Sequence, residues 1–185
     1  MKCDPGARNP WHEMFRTAIV RSVLIGILSD SHGRFEITKR AVELLRSRAS
    51  EFLIHCGDVG EENIIDLLAG GQLPAAFVWG NNDYDRDRLA AYAKQQGVLC
   101  LDTFGRLELA GKRIAITHGD HLNLVRQVTE QQSADYLLVG HTHVMVDRRV
   151  NGVRMINPGA LYRASVKSCA LLQTDTDHLE FLKVS

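Results

Sequence analysis

Five short apolar runs in this chain each end beside a polar residue that can bind a metal ion. The run from Val23 to Leu28 is followed by Asp30 and His32. Phe52 to Cys56 is followed by Asp58, and Ala75 to Trp79 by Asn81, Asn82 and Asp83. Ile114 to Thr117 leads to His118, and Tyr136 to Val139 leads to His141 and His143. The last two are alternate residues, so an extended backbone turns both to one side. Carboxylate, imidazole and carboxamide donors without thiolate suit a borderline ion such as manganese, iron or zinc, and not a structural zinc. Taken singly the motifs say little: Asp-x-His arises by chance, Gly-Asp is a common turn, and a lone His118 is more often structural. Taken in order, each after an apolar run, they describe one site.

For these side chains to meet, the runs must be strands with neighbouring carboxyl ends, the place where open α/β sheets bind ligands. The pattern agrees. Between the first two runs Ile37, Ala41, Leu44 and Leu45 recur at helical spacing. A shorter helix from Glu61 to Ala69 follows the second run and stops at Gly70-Gly71. This βαβαβ order implies parallel strands with right-handed crossovers. The second half reads as strand-rich. Phe104–Leu109 and Arg113–Thr117 flank Ala110-Gly111-Lys112 as a hairpin, and a helix from about His121 to Gln132 precedes Tyr136–Val139. Val144–Val150 and Val153–Ile156 flank Asn151-Gly152, a strong hairpin turn signal. Ala170–Gln173 and Leu179–Val184 form a last strand pair. Parallel strands first and antiparallel strands later predict two packed sheets with helices outside.

With 185 residues the chain suffices for one domain and is short for two. Residues 1–21 read as an extension in which Trp11, Met14, Phe15, Ala18 and Ile19 mark an amphipathic helix, and residues 22–185 as the domain. Lys plus Arg equals Asp plus Glu at 22 each, so no basic excess points to bulk nucleic-acid binding. No apolar run reaches the length of a membrane span, and His12, Glu13 and Arg16 interrupt any signal-peptide core. Cys3, Cys56, Cys100 and Cys169 are far apart, which predicts reduced thiols and a cytoplasmic protein. Nothing in the sequence fixes the oligomeric state, and a homo-oligomer is compatible with it.

The ordered set D-x-H, GD, GNND, HG and GHTH resembles the calcineurin-like metallophosphoesterases, in particular their small bacterial and archaeal phosphodiesterases, over about Val23 to Val184. The resemblance implies an α/β fold, a four-layer αββα sandwich of two mixed sheets flanked by helices. It also implies two divalent metal ions per chain, manganese first, with iron, zinc, nickel or cobalt as alternatives. Asp30, His32, Asp58 and His143 would bind one ion. Asp58, Asn81, His118 and His141 would bind the other, with Asp58 shared. The implied reaction is attack on phosphorus by a hydroxide bridging the ions, with Asp58, His118 and Asn82 as catalytic positions. Two divalent ions, two aspartates and a hydroxide sum to one positive charge, which a phosphodiester monoanion neutralises. A small-molecule phosphodiester is therefore the expected substrate. A phosphomonoesterase or nucleotidase on the same site is one alternative. A scaffold like the retromer subunit of this fold is the other, and a scaffold has no need of the complete ligand set found here.

Some positions near the motifs need separate weighing. Many relatives carry His directly after the ligand Asn; here that residue is Asn82, which donates a hydrogen bond but no proton. Asn82, Arg34 and His121 are read as substrate-binding. His55, inside an apolar run, is expected to be a hydrogen-bonded core histidine, and Asn157-Pro158-Gly159 a structural turn near the site. Asp83, Asp85 and Asp87 imitate the start of a calcium loop, but Arg88 and Lys94 stand where Gly and Glu are required.

Overall fold

The computed structural model of the protein describes residues 22–185; the helix expected before Val23 lies outside the described residues. The chain forms two mixed sheets. The first has the order β11 (His178–Lys183), β10 (Ser168–Gln173), then β1, β2, β3 and β4. Its parallel core is β1 (Leu24–Leu28), β2 (Phe52–His55), β3 (Ala75–Phe77) and the two-residue β4 (Leu99–Cys100). The second has the order β5-β6-β7-β9-β8, built from β5 (Phe104–Leu109), β6 (Lys112–Thr117), β7 (Tyr136–Leu138), β8 (Met145–Val150) and β9 (Val153–Pro158).

Each sheet is buried on both faces, which is why its central strands read as continuous apolar runs. Ile25, Ile27, Phe52 and Ile54 of the first sheet meet Ile114, Ile116, Leu138 and Ile156 of the second. The other face of the first sheet, with Leu28, Leu53 and Phe77, packs under α1 (Phe35–Ser47), α2 (Glu62–Ala69) and α3 (Arg86–Gln95). Ala115, Leu137 and Met155 on the far face of the second sheet pack under Val128 of α4 (Leu122–Glu130). The result is the αββα sandwich. Among the described residues no helix is long and apolar enough to cross a membrane.

Three local readings change. The second half is not simply antiparallel, because β6, β7 and β9 run parallel and carry their polar ends to one edge. The final hairpin, β10 (Ser168–Gln173) with β11 (His178–Lys183), returns to the first sheet, where β10 pairs antiparallel with β1. Helix α3 was unmarked by periodicity because only Leu89 and Ala93 are buried on it. Asn151 and Gly152 both adopt positive φ, as the expected hairpin turn requires.

Candidate metal centre

The parallel strands β1, β2, β3, β6 and β7 present their following loops to a common space. The Asp30 amide donates to the Gly57 carbonyl at 3.0 Å, and the His32 amide to the Asp58 carbonyl at 2.8 Å. The Gly140 amide donates to the His118 carbonyl at 2.8 Å, and the His141 amide to Asp30 Oδ2 at 3.1 Å. Main-chain bonds thus pair the β1 loop with the β2 loop and the β6 loop with the β7 loop, and the Asp30 carboxylate ties the two pairs together. The fifth joins through Asn82, whose main-chain and side-chain N–H groups donate to the two oxygens of Asp58, each at 2.8 Å.

Two groups of donors result: Asp30 with His32 and His143, and Asp30 with Asp58 and His118. His143 Nε2 lies 3.1 Å from Asp30 Oδ1. Asp58 Oδ2 stands between two imidazoles, 3.3 Å from His32 Nε2 and 3.3 Å from His118 Nε2. The donors are poorly satisfied by the protein. Asp30 Oδ1, His32 Nε2 and His118 Nε2 are buried without a hydrogen-bond partner. Unpaired buried polar atoms are costly, and here they converge. The His118 ring places Nδ1 2.9 Å from the Cys56 carbonyl, so an N–H there donates and, in the neutral ring, Nε2 faces the aspartates with a lone pair. That is the usual arrangement of a metal-bound histidine. The donor set fits divalent cations.

Backbone strain marks the same residues. Asp30, His32, Asp58, His141 and His143 all have positive φ, between 46° and 66°. Such conformations cost free energy in non-glycine residues and collect at functional sites. Two glycines admit the close approach. A Cβ on Gly80 would lie 2.1 Å from Asp58 Oδ1, and one on Gly140 2.8 Å from Asp30 Oδ2.

Electrostatics follow from this crowding. Burial disfavours the charged form of Asp58, but the adjacent His118 and the hydrogen bonds from Asn82 outweigh it and hold the carboxyl below its usual range. Burial likewise opposes protonation of His118, while Asp58 and Asp30 prevail and raise it to about 9.

The remaining expected residues fall in distinct places. His141 is exposed, its ring 5.1 Å from that of His118. Asn81 is exposed and makes no side-chain hydrogen bond among the described residues; Asn82 is the one against Asp58. His121 is exposed and faces Asp120 at 3.6 Å. Arg34 lies over the ring of Tyr162. His55 is a core histidine, buried and 2.8 Å from Ser31 Oγ. Asp83 ties two site loops by accepting from the Gly60 and Gly80 amides, each at 2.8 Å. Asn157 donates to the Gly140 carbonyl at 2.7 Å, which supports its structural reading. Arg86, which caps the Gly80 and Asp83 carbonyls, and Tyr162 were missed; no motif marks them in the sequence.

Residues 23–177 match the calcineurin-like phosphoesterase superfamily domain. The chain belongs to that superfamily. A phosphodiesterase of Methanocaldococcus jannaschii is 29% identical to this phosphoesterase over 156 residues, covering 82% of this chain and 93% of the relative. A solved archaeal phosphodiesterase superposes with a TM-score of 0.81 at 27% identity, over 87% of this chain and 99% of that one. A Vps29 variant from Entamoeba histolytica shares the fold, with a TM-score of 0.62 at 18% identity over 88% and 99% of the two chains. Every expected ligand of the phosphoesterase domain, from Asp30 to His143, lies inside the matched segment.

Proposed function

We propose that this phosphoesterase is a hydrolase of phosphodiesters that works with two divalent ions, manganese first among them. The observation that carries the reading is the position of Asp58, whose Oδ2 is 3.3 Å from Nε2 of both His32 and His118. A carboxylate so placed can be shared between two cation positions. Asp30, His32, Asp58 and His143 would hold one ion, and Asp58, His118 and His141 the other, with a carboxamide from Asn81. Bound there, divalent ions would supply Lewis-acid polarisation of a phosphoryl group and an activated water.

The chain's own residues do the positioning. The Cys56 carbonyl fixes the His118 tautomer, Asn82 holds both oxygens of Asp58, and the His141 amide holds Asp30. Converging donors with fixed orientations remove reorganisation from the reaction step. The names of the relatives support a diester over a monoester, as does the charge balance of the site. A pure scaffold would gain nothing from three orphaned donors facing one another. We further propose a cytoplasmic location, in keeping with the buried free thiols of Cys56 and Cys169.

The test is turnover of bis(p-nitrophenyl) phosphate and of p-nitrophenyl phosphate by protein reconstituted with manganese, before and after chelation. Hydrolysis of the diester that chelator abolishes and manganese restores is expected. Folded, metal-loaded protein that cleaves neither compound would sink the enzymatic reading, and a strong preference for the monoester would sink the diester assignment.

A further inference from the structure

Two arginines from different loops meet at one tyrosine on the edge of the metal centre. Arg34 comes from the β1–α1 loop and Arg163 from the β9–β10 loop. The Arg34 guanidinium carbon lies 4.6 Å from the Tyr162 ring centroid, and that of Arg163 lies 5.1 Å from it. The Tyr162 ring rests against the His32 ring, with centroids 5.0 Å apart. The Arg163 carbonyl faces His143 Nδ1 at 3.5 Å. The three residues thus flank both imidazoles of the Asp30–His32–His143 group.

The two guanidinium carbons are no more than about 10 Å apart. That is comparable to the Debye length at ~0.1 M salt, so the charges feel each other. Neither arginine has an ion-pair partner among the described residues, whereas Arg113 and Arg154 each have a carboxylate. With both cations on its ring, Tyr162 is a spacer for them and not a platform for a stacked base. Like charges held together are unfavourable until an anion joins them.

We propose that Arg34, Tyr162 and Arg163 form an anion subsite, which selects a substrate carrying a second phosphate group beside the phosphoester that is cleaved. The proposal rests on the phosphoesterase reading and names the substrate class for that site. Guanidinium groups bind phosphate oxygens in pairs, and a second phosphate supplies the negative charge that the two arginines lack.

Two arms test it. In the first, calorimetry measures thymidine 3′,5′-bisphosphate and thymidine 5′-monophosphate binding to the full-length, manganese-loaded chain. The bisphosphate should bind about ten-fold more tightly or better, the scale of one charge-assisted contact. Arg34→Gln with Arg163→Gln should shrink that advantage to about two-fold, while Arg34→Lys should retain part of it. Metal content and circular dichroism establish that the variants are folded and loaded. In the second arm, the p-nitrophenyl ester of thymidine 5′-phosphate is compared with and without a 3′-phosphate. The added phosphate should lower KM for the parent, and the double substitution should raise KM chiefly for that ester. Failure to hydrolyse either ester would count against the phosphoesterase reading, and the calorimetric ratio would still decide the subsite. A bisphosphate that binds the parent no more tightly than the monophosphate, or an advantage that survives the double substitution, overturns the proposal.

Discussion

Asn82 donates to Asp58 twice, from its main-chain N–H to Oδ1 and from its side-chain amide to Oδ2, each at 2.8 Å. The side-chain bond is what keeps a nearly buried carboxylate oriented between His32 and His118. Asn82→Asp preserves shape but turns an oxygen toward an oxygen. Metal-free protein should lose about 1–3 kcal/mol, the usual cost of a buried acceptor deprived of its donor. Urea denaturation in chelator reads this directly. An unchanged midpoint would mean that the Asn82 side chain contributes nothing to holding Asp58.

Two ions per chain are expected at saturation with manganese. Asp58→Asn should reduce both, because the proposed arrangement shares that carboxylate, whereas His143→Ala should chiefly reduce one, since His143 belongs to one donor group only. Metal analysis after reconstitution and desalting is the measurement. Saturation of the parent at a single ion would remove the dinuclear arrangement.

The strand–polar-residue pattern was legible because each strand is buried on both faces and each donor follows immediately. Asp30, Asp58 and His118 needed only the run before them. Asn82 was legible as a site residue but not as the partner of Asp58, since which of two adjacent asparagines turns inward depends on the loop geometry after Gly80. Helix α3 was silent because its sequence, from Arg86 to Gln95, is mostly polar and buries little. The return of β10 to β1 pairs Leu24 with Gln173, and no local signal encodes a contact so distant in sequence. Tyr162 and Arg163 belong to the site only because β9 runs parallel to β7, which the turn-based reading of the second half did not reveal.

Stability of the metal-stripped protein should peak near pH 6.5. Burial lowers His55 to about 3, so on acidification the unfolded chain gains a proton there that the native state refuses. Stability is then full above 6.5 and falls toward pH 3. His118 has the opposite sign. Raised to about 9, it contributes below 6.5 and loses that contribution as pH rises through 9. Each arm has a limiting slope of about 1.4 kcal/mol per pH unit. His55→Leu should flatten the acid arm above pH 4, where Asp58 has yet to protonate in the unfolded chain. An acid arm of undiminished slope in that variant would assign it elsewhere.

Arg154 joins the two sheets at one edge. Its guanidinium bonds both oxygens of Asp147 at 2.8 Å and reaches Asp177 at 2.7 Å, where the Tyr136 hydroxyl also donates. Asp177 sits in the β10–β11 turn of the other sheet. Arg154→Met retains the stem but removes the cation between Asp147 and Asp177, leaving Asp177 paired with Arg149. Because both carboxylates are partly exposed, the loss should be about 1–2 kcal/mol, less than for a fully buried pair. A thermal midpoint several degrees lower, at unchanged metal content, is expected. A midpoint equal to the parent's would show that solvent screens the cluster completely.

The leaving group should govern which phosphodiesters are turned over. Cleavage places negative charge on the departing oxygen, and a positioned acid contributes about 10²–10⁴-fold to such a step. Asn82 holds the place after Asn81 where an acid would stand, and it carries no transferable proton. Its amide is moreover engaged with Asp58, and its side-chain oxygen faces the Tyr84 hydroxyl at 3.4 Å. An aryl oxide departs without protonation, because it is already a stable anion; an alkoxide does not. Phe35, Tyr84, Leu122 and Val144 are exposed within the site loops or at the helix starts that directly follow them. The logarithm of kcat/KM should therefore fall steeply with leaving-group pKa across a series of aryl phosphodiesters. Asn82→His should flatten the slope by restoring a proton donor. The comparison requires chemistry to be rate-limiting in both proteins, which a burst-free time course establishes. Equal slopes would remove residue 82 from leaving-group chemistry, and a flat slope in the parent would mean that another residue already supplies the proton.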